Sequence, residues 1–387
     1  MTRSIDLTRR FLLGASAAGV SLAFAGQAGA RTASGPRNKL VVVIARGAMD
    51  GLSVVVPGND PDYRPLRGAL AIEDSLALSD GFSLHPSLAG LHALHGQGQL
   101  RFAPAVAIPV RVRSHFDAQD VLENGGEGLR QQTDGWLNRA LAATGGVKGL
   151  SIGAQTPLIL RGSAATSSWA PGGRTGSEDR MASLLQDLYA EDRLLADNLA
   201  AGLQTEAQAM AMGGDGRLAR NDVAGLGQAV ARLMTGPDGA DVVALSVDGW
   251  DTHARQVGQL QARLTGLDQV ISGLRTGLGD DWSRTIVVLA TEFGRTARAN
   301  GTGGTDHGTG SALLLAGGAL KPGGMIGDWP TLAENRLFEG RDLAPTLDIR
   351  SVFKGVLRDH VGIDRAALDA RVFPASSAEA PTLDGLV

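Results

Sequence analysis

Five short aliphatic runs, separated by helical patterns, constrain the fold of this chain more than any other feature. Four of them span residues 39–45, 100–108, 241–247 and 285–290, and 312–316 is a shorter fifth. Continuous runs of Val, Leu, Ile and Ala are typical of strands buried on both faces of a parallel sheet. Because helical patterns lie between the first four runs, the sequence predicts a three-layer α/β sandwich with a largely parallel central sheet.

The domain organisation follows from length and from the spacing of these patterns. A chain of 387 residues allows two domains or one large domain with insertions. We expect a single elaborated α/β domain over residues 31–387, with a helical insertion around 177–233. The residues from about 374 onward are rich in Ala, Ser and Pro and predict a loose C-terminal tail.

The first thirty residues have the pattern of an export signal. Arg9 and Arg10 form the arginine pair of a twin-arginine signal, residues 11–24 are weakly apolar, and Ala28-Gly29-Ala30 matches a signal-peptidase site. The alternative is an amphipathic first helix with two chance arginines. We expect cleavage after residue 30, the twin-arginine export machinery as a partner, and a periplasmic or otherwise exported protein with no membrane span after cleavage.

Composition excludes several classes of function. The chain has no cysteine, which excludes disulfides, iron–sulfur clusters, zinc–thiolate sites and a cysteine-derived nucleophile. Its formal net charge of −4 provides no basic footprint for nucleic acid. Any metal must therefore be held by carboxylate, imidazole, hydroxyl or carbonyl groups, and the chain has 7 histidines. The glycine content is also high, at 54 of 387 residues.

In an open parallel sheet the chemistry gathers where the strands end, so the residues that follow each run are the candidates. After the first run, Arg46 is a candidate anion-binding residue and Asp50 a candidate metal ligand, although an aspartate before glycine is common in turns. After the second run, Ser114 precedes a predicted helix. It is a candidate nucleophile, activated by a metal or by His115, or simply an N-cap.

The third and fourth runs are also followed by polar residues. Asp248 and His253 lie in an Asp-Gly-Trp-Asp-Thr-His block whose oxygen and nitrogen donors suit divalent cations, while Asp251 also fits an N-cap. Glu292 is a candidate ligand or general base and Arg295 a candidate anion-binding residue. A local ion pair between Glu292 and Arg295 is the alternative.

The strongest single candidate lies in the glycine-rich loop before the fifth run. His307 is flanked by glycines in a polar segment, which a histidine of the core would not be. The loop is neither a Walker loop nor a Rossmann turn, because no Gly-Lys-Ser/Thr follows and it precedes a strand. We therefore expect His307 to be a metal ligand.

Taken in order, these blocks resemble a bacterial family of twin-arginine-exported proteins of unknown function that is grouped with the alkaline phosphatase-like superfamily. The most specific blocks are Asp-Gly-Trp-Asp-Thr-His, Glu-Phe-Gly-Arg-Thr and Gly-Gly-Thr-Asp-His-Gly. The resemblance implies an alkaline phosphatase-like fold. It also implies one or two divalent metals, a nucleophile at a helix start, and phosphate or sulfate esters as substrates. By that analogy Asp50, Asp248 and His307 would bind metal and Ser114 would occupy the nucleophile region.

Two departures from the superfamily pattern weaken the catalytic part of this expectation. Arg46 lies where the first strand usually carries a carboxylate, and Glu292-Phe293 replaces an Asp-His pair. Two functions therefore stay open. One is a metal-dependent hydrolase of phosphate or sulfate esters, holding Zn, Mn, Mg or Ca through Asp50, Asp248, His253, Glu292 and His307. The other is a non-catalytic exported binding or assembly protein.

Overall fold

A computed structural model describes residues 37–387, apart from 154, 237 and most of 172–222. The predicted export signal and most of the predicted helical insertion lie outside the described residues. Within the described part of the chain, no helix combines the length and apolar character that a bilayer crossing requires.

A mixed eight-stranded sheet forms the centre of the fold. The strands in the described residues are β1 (Lys39–Arg46), β2 (Val55–Val56), β3 (Leu76–Ala77), β4 (Ser83–Leu84), β5 (Leu100–Ala107), β6 (Gly149–Ile152), β7 (Thr166–Trp169), β8 (Val242–Asp248), β9 (Thr285–Ala290), β10 (Ser311–Ala316) and β11 (Leu347–Asp348). The main sheet has the order β11-β5-β10-β9-β1-β8-β6-β7, and β2, β4 and β3 form a small antiparallel sheet. All strands of the main sheet run in one direction except β10, which is antiparallel to both neighbours.

Helices cover both faces of the main sheet, which confirms the predicted three-layer α/β sandwich. The α-helices in the described residues are α1 (Gly51–Val54), α2 (Tyr63–Arg67), α3 (Ala89–His95), α4 (His115–Asn124), α5 (Trp136–Thr144), α6 (Val223–Met234), α7 (Gln256–Leu278), α8 (Ile349–Val356) and α9 (Arg365–Ala367). Helices α4, α5 and α8 contribute to the hydrophobic core on one face, and α3, α6 and α7 to the core on the other.

Strand β1 shows why the aliphatic runs predict this architecture. Its side chains alternate between the two cores, with Val42 and Ile44 on one face and Val41 and Val43 on the other, and all four are at most 1% exposed. A strand between two helical layers has no solvent face, so the interior of β1, residues 40–45, is entirely apolar.

The direction of β10 positions the site. Parallel strands end at one edge of the sheet, where Arg46 of β1 pairs with Asp248 of β8. Because β10 runs the other way, it begins at this edge, and its first residue, Ser311, pairs with Val106 near the end of β5. The glycine-rich loop before β10 therefore lies beside the residues that follow β1, β5, β8 and β9.

The predicted loose C-terminal tail is wrong, because the tail packs against the domain. Leu386 is 2% exposed within one of the two cores, and Ala380 is fully buried. The ammonium of the buried Lys354 donates to the Ala380 carbonyl at 2.8 Å. A few well-placed apolar residues thus anchor a segment whose overall composition is that of a loop.

A buried histidine predicts how stability depends on pH. His360 is 3% exposed, and its Nε2 donates to the Lys39 carbonyl at 2.9 Å. Burial lowers the pKa of His360, so the unfolded chain binds a proton more readily than the folded one. The free energy of unfolding should therefore be greatest above about pH 6.5 and fall as the pH drops towards the lowered pKa, by at most about 1.4 kcal/mol per pH unit.

Urea denaturation of the His360→Gln variant at pH 7.5 and 5.5 should show a smaller loss of stability on acidification than the wild type shows. The control is His92→Gln, which replaces a less buried histidine on α3 and should keep the wild-type dependence. An unchanged dependence in His360→Gln would refute this origin of acid sensitivity.

Candidate metal centre

Three histidines and one aspartate converge at the edge of the sheet where most of its strands end. His115 is the first residue of α4, Asp251 and His253 follow β8, and His307 lies in the loop before β10. The Nε2 atom of His307 is 3.1 Å from Nε2 of His115, 3.0 Å from Nε2 of His253 and 3.1 Å from Oδ1 of Asp251. These four side chains are called the His/Asp cluster below.

The second nitrogen of each imidazole faces an oxygen acceptor. The partners of the three Nδ1 atoms are Glu292 Oε1 for His115 at 2.8 Å, the Arg113 carbonyl for His307 at 2.8 Å, and Asp306 Oδ1 for His253 at 3.5 Å. A carbonyl oxygen only accepts, so Nδ1 of His307 carries a proton and its Nε2 presents a lone pair when the ring is neutral. Metal-binding histidines have this arrangement, in which the outer nitrogen donates to a carboxylate or a carbonyl.

The spacing of the cluster also suits a metal ion. At a metal–nitrogen distance of about 2.0–2.1 Å, two ligands of a tetrahedral site lie about 3.3 Å apart. His115 Nε2 is 3.1 Å from His307 Nε2 and 3.4 Å from Asp251 Oδ2. Neutral imidazole lone pairs at this separation repel one another unless a proton or a metal ion lies between them. The donor set therefore fits a divalent metal.

One side of the cluster is open to solvent. His115, Asp251 and His307 each offer one ligand atom, and these three atoms lie within 4.8 Å of one another. Among the described residues, these three form the group of His, Cys, Asp or Glu side chains that are close enough to share one metal ion. His253 lies at the rim of this group, with 47% of its side chain exposed. Three protein ligands and an open side are typical of catalytic rather than structural metal sites.

The carboxylates of Glu292 and Asp251 stabilise the protonated form of His115. The hydrogen bond to Glu292, together with the carboxylates of Glu292 and Asp251, raises the pKa of His115 despite partial burial. Burial opposes ionisation of Glu292, but its hydrogen bonds with His115 and Gln119 lower its pKa. The backbone N–H of Gly47 also donates to Glu292 Oε1, at 2.8 Å. Glu292 is fully buried, so it orients His115 and does not face solvent.

Asp251 is held by a buried arginine. Arg295 is 1% exposed and its Nη1 donates to Asp251 Oδ1 at 2.5 Å. Partial burial acts against ionisation of Asp251, but the hydrogen bond and charge of Arg295 outweigh it and lower the pKa of this carboxyl. Asp251 is therefore a carboxylate at neutral pH.

Glycines allow the loops of the site to touch through their backbones. At Gly47, where φ is +113°, a Cβ would lie 2.7 Å from the backbone nitrogen of Asp251. At Gly308 a Cβ would lie 2.5 Å from the backbone of Arg295. Since any larger residue would push these segments apart, part of the high glycine content serves to bring the loops around His307 together.

Two predicted metal ligands lie outside the cluster. Asp50 is 1% exposed, and its Oδ2 accepts hydrogen bonds from Arg67, Gln256 and Ser53, so it binds protein groups instead. Asp248 is exposed at the end of β8 and does not belong to the three-residue group found among the described residues. Of the other predicted ligands, His307 and His253 lie in the cluster, while Glu292 contacts it through His115.

The three residues predicted to act on substrate differ in accessibility. Ser114 is exposed and is the N-cap of α4, where its Oγ accepts from the Asp117 backbone N–H at 3.5 Å. Arg46 is partly buried, and its Nη1 donates to Gln119 while its Nη2 pairs with Glu123. Arg295 is buried on Asp251, so it supports the cluster and does not form a surface for an anion.

Two cluster residues are not among the ligands predicted from the sequence. Asp251 lies in the block that contributes Asp248 and His253, but its position before a helix also fits an N-cap. His115 follows Ser114 and is predicted only as a residue that activates it. The usable signal is that both residues lie in segments that follow parallel strands of the main sheet, β5 and β8, as His253 does.

Comparison with solved structures returns proteins of low sequence identity. The C-terminal periplasmic domain of EptC from Escherichia coli, in complex with Zn, is 11% identical, with 92% of this chain and 91% of that chain covered and a TM-score of 0.41. Alkaline phosphatase from the Antarctic bacterium TAB5 is 11% identical, with 74% and 93% covered and a TM-score of 0.38. The lipoteichoic acid synthase LtaP from Listeria monocytogenes is 10% identical, with 74% and 67% covered and a TM-score of 0.35.

The family comparison is more specific. No curated protein matches the sequence. Residues 37–372 match the model of a family described as "Protein of unknown function (DUF1501)", which covers the central sheet and every residue of the His/Asp cluster. The expected membership in a family of unknown function is therefore confirmed: this chain belongs to the DUF1501 family.

Proposed function

We propose that this protein is an exported, metal-dependent hydrolase of phosphate or sulfate esters. The observation that carries the proposal is the His/Asp cluster, in which three imidazoles direct Nε2 towards one carboxylate while each Nδ1 faces an oxygen acceptor. A structural role for these polar groups would not require three imidazole nitrogens to meet at one partly exposed point.

His115, Asp251 and His307 would hold the metal. A divalent cation bound there would polarise an ester oxygen and favour ionisation of a hydroxyl or a water. Glu292 keeps His115 in the tautomer whose Nε2 is available, and Arg295 keeps Asp251 ionised. The metal's identity is open among Zn, Mn, Mg and Ca, and the nitrogen donors favour Zn or Mn over Ca.

His253 and Ser114 are the accessible groups of the site. We assign His253 to proton transfer at Nε2, because its side chain is the most exposed of the cluster imidazoles and its Nε2 lies 2.9 Å from Asp251 Oδ1. We assign Ser114 as the nucleophile, because its hydroxyl is exposed at the N-terminus of α4, directly before His115. A helix N-terminus favours the anionic group that such a hydroxyl attacks.

The proposal includes the location and organisation of the chain. The twin-arginine pattern would direct the folded protein to the exported side, with residues 31–387 forming one domain that has a helical insertion around 177–233. An anionic ester would then be met outside the cytoplasm.

Turnover of aryl phosphates and aryl sulfates by the metal-loaded protein tests this function. We expect the Ser114→Ala variant to lose about 1,000-fold or more in kcat while keeping its metal, because the hydroxyl that attacks the ester is removed. The matched control is Ser283→Ala, an exposed serine just before β9 at the opposite edge of the sheet, which should keep wild-type turnover. Absence of turnover on both ester classes by the metal-loaded wild type would reject the hydrolase and favour an exported binding protein.

A further inference from the structure

A chain of buried polar side chains connects Asp251 of the His/Asp cluster to the buried ion pair of Arg67 and Asp50. Its members in order are Arg67, Asp50, Gln256, Thr305, Arg295 and Asp251, here called the Arg67–Asp251 relay. All members except Asp251 are at most 1% exposed. We propose that this relay positions the Asp251 carboxylate as a metal ligand, an inference that rests on the metal centre of the proposed function.

The relay begins at a buried ion pair. Arg67 pairs with Asp50 Oδ2, and the same oxygen accepts from Ser53 Oγ at 2.8 Å and from Gln256 Nε2 at 2.5 Å. A buried ion pair adds little net stability over apolar residues of similar volume, so its presence here calls for another reason. Within the described residues, Asp50 Oδ1 and Arg67 Nε also have no hydrogen-bond partner, which makes the pair still less favourable for stability alone.

The Asp50 carboxylate determines the orientation of the Gln256 amide. A carboxylate only accepts, so the NH₂ group of Gln256 must face Asp50 and its Oε1 must face the other way. That oxygen is 2.7 Å from Thr305 Oγ1 and 3.0 Å from Thr252 Oγ1, and both hydroxyls must donate to it. Because Gln256 is the first residue of the 23-residue helix α7, the amide is also held by a rigid element.

The hydroxyl of Thr305 links the Gln256 amide to Arg295. Having donated its proton to Gln256, Thr305 Oγ1 is free to accept from Arg295 Nε, at 3.1 Å. Arg295 Nη2 donates to the Thr305 carbonyl, so one edge of the guanidinium is fixed. The remaining Nη1 points at Asp251 Oδ1, at 2.5 Å. Every donor in the relay has one possible direction, and together they hold the carboxylate oxygen in place.

The relay explains why two residues predicted as parts of the site are buried. Asp50 and Arg295 contact neither solvent nor an open face of the cluster, yet both are joined to a cluster residue through hydrogen bonds. They are positioning residues rather than a ligand and an anion-binding residue.

Titration of apo-protein with Co²⁺, followed by visible absorption, tests the relay without using activity. The Gln256 side chain hydrogen-bonds to Asp50, Thr252 and Thr305 but to no cluster residue. We expect Gln256→Met to weaken Co²⁺ binding about 10–100-fold and to shift the d–d bands, as the loss of a group that orients a metal ligand does. Thr305→Val is nearly isosteric, removes only the hydroxyl link, and should weaken binding in the same direction.

Two controls match these substitutions in burial and chemistry. Asn138→Leu removes a buried amide that bonds to the Leu160 and Ala164 carbonyls, and Thr166→Val removes a buried hydroxyl far from the relay. Both should leave Co²⁺ affinity and bands unchanged. If wild type binds Co²⁺ and Thr305→Val binds it with the same affinity and spectrum, the relay is refuted while the metal centre stands. If wild type binds no Co²⁺, the metal centre itself is refuted.

Discussion

Replacing His307 with alanine is expected to abolish tight metal binding and to lower ester turnover about 1,000-fold or more. His307 has the central position in the cluster, with Nε2 within 3.1 Å of two other imidazoles and of Asp251. Loss of a side chain that hydrogen-bonds to a metal ligand weakens metal binding by about 10–100-fold. Loss of the ligand itself should therefore weaken metal binding by more than this. A metal ion stabilises the charge of the transition state by several kcal/mol. Because about 1.4 kcal/mol corresponds to a tenfold change in rate, losing the metal should lower turnover by about 1,000-fold or more.

The measurement combines calorimetric titration with Zn²⁺ or Mn²⁺ and turnover of aryl esters at saturating metal. The matched control is His92→Ala on α3, whose Nε2 contacts the Ala77 carbonyl and not the cluster, and which should bind and turn over as wild type does. Wild-type metal affinity in His307→Ala would contradict the account.

Replacing Arg67 with methionine should have the largest effect on stability, a loss of about 3–5 kcal/mol in the free energy of unfolding. Removal of one partner of a buried ion pair leaves the other charge buried and uncompensated. Arg67 and Asp50 are at most 1% exposed, so water cannot replace the lost guanidinium without rearrangement. Chemical denaturation of Arg67→Met and wild type under the same conditions measures the difference.

The double variant Asp50→Asn/Arg67→Met tests the physical reason. Removing both charges together should recover much of the stability lost in Arg67→Met, because no unpaired charge is left behind. Two results would contradict this reason. One is a free energy of unfolding for Arg67→Met within about 1 kcal/mol of the wild-type value, and the other is a double variant no more stable than Arg67→Met.

The fold could be predicted where strands are long and apolar on both faces. The runs at 39–45, 100–108, 241–247, 285–290 and 312–316 all form strands of the main sheet, as β1, β5, β8, β9 and β10. The sequence patterns do not predict β6, β7 and β11. These strands are only two to four residues long, and the sequence of β7 is Thr-Ser-Ser-Trp. Such segments form strands because a neighbour offers backbone partners, which a local pattern does not reveal.

The site could be predicted only where local sequence had no simpler explanation. His307, in a glycine-rich loop, is poorly explained by packing and does lie in the cluster. Asp251 has an equally good local explanation as a helix cap, so the sequence leaves it undecided. Asp50 fits a ligand by its position after β1, but its actual partner is Arg67, and no spacing rule shows that these two side chains meet in the core. Three-dimensional pairing of charges is the information that the sequence pattern lacks.

The direction of β10 is a further limit of sequence reasoning. In a wholly parallel sheet the loop before a strand lies at the edge opposite to the chemistry, which would place His307 far from His115. The antiparallel pairing of β10 with β5 and β9 reverses this and places the loop at the site. Alternation of strands and helices does not determine the direction of one strand, so the cluster could not be assembled before the structure.

The central claim is that His115, Asp251 and His307 form a metal centre, and anomalous diffraction tests it most directly. Crystals of the protein grown with Zn²⁺ should give an anomalous peak about 2.0–2.1 Å from Nε2 of His115 and of His307, next to an Asp251 oxygen. A cluster whose imidazoles bond only to one another and to Asp251, with no anomalous peak among them at saturating Zn²⁺, would contradict it.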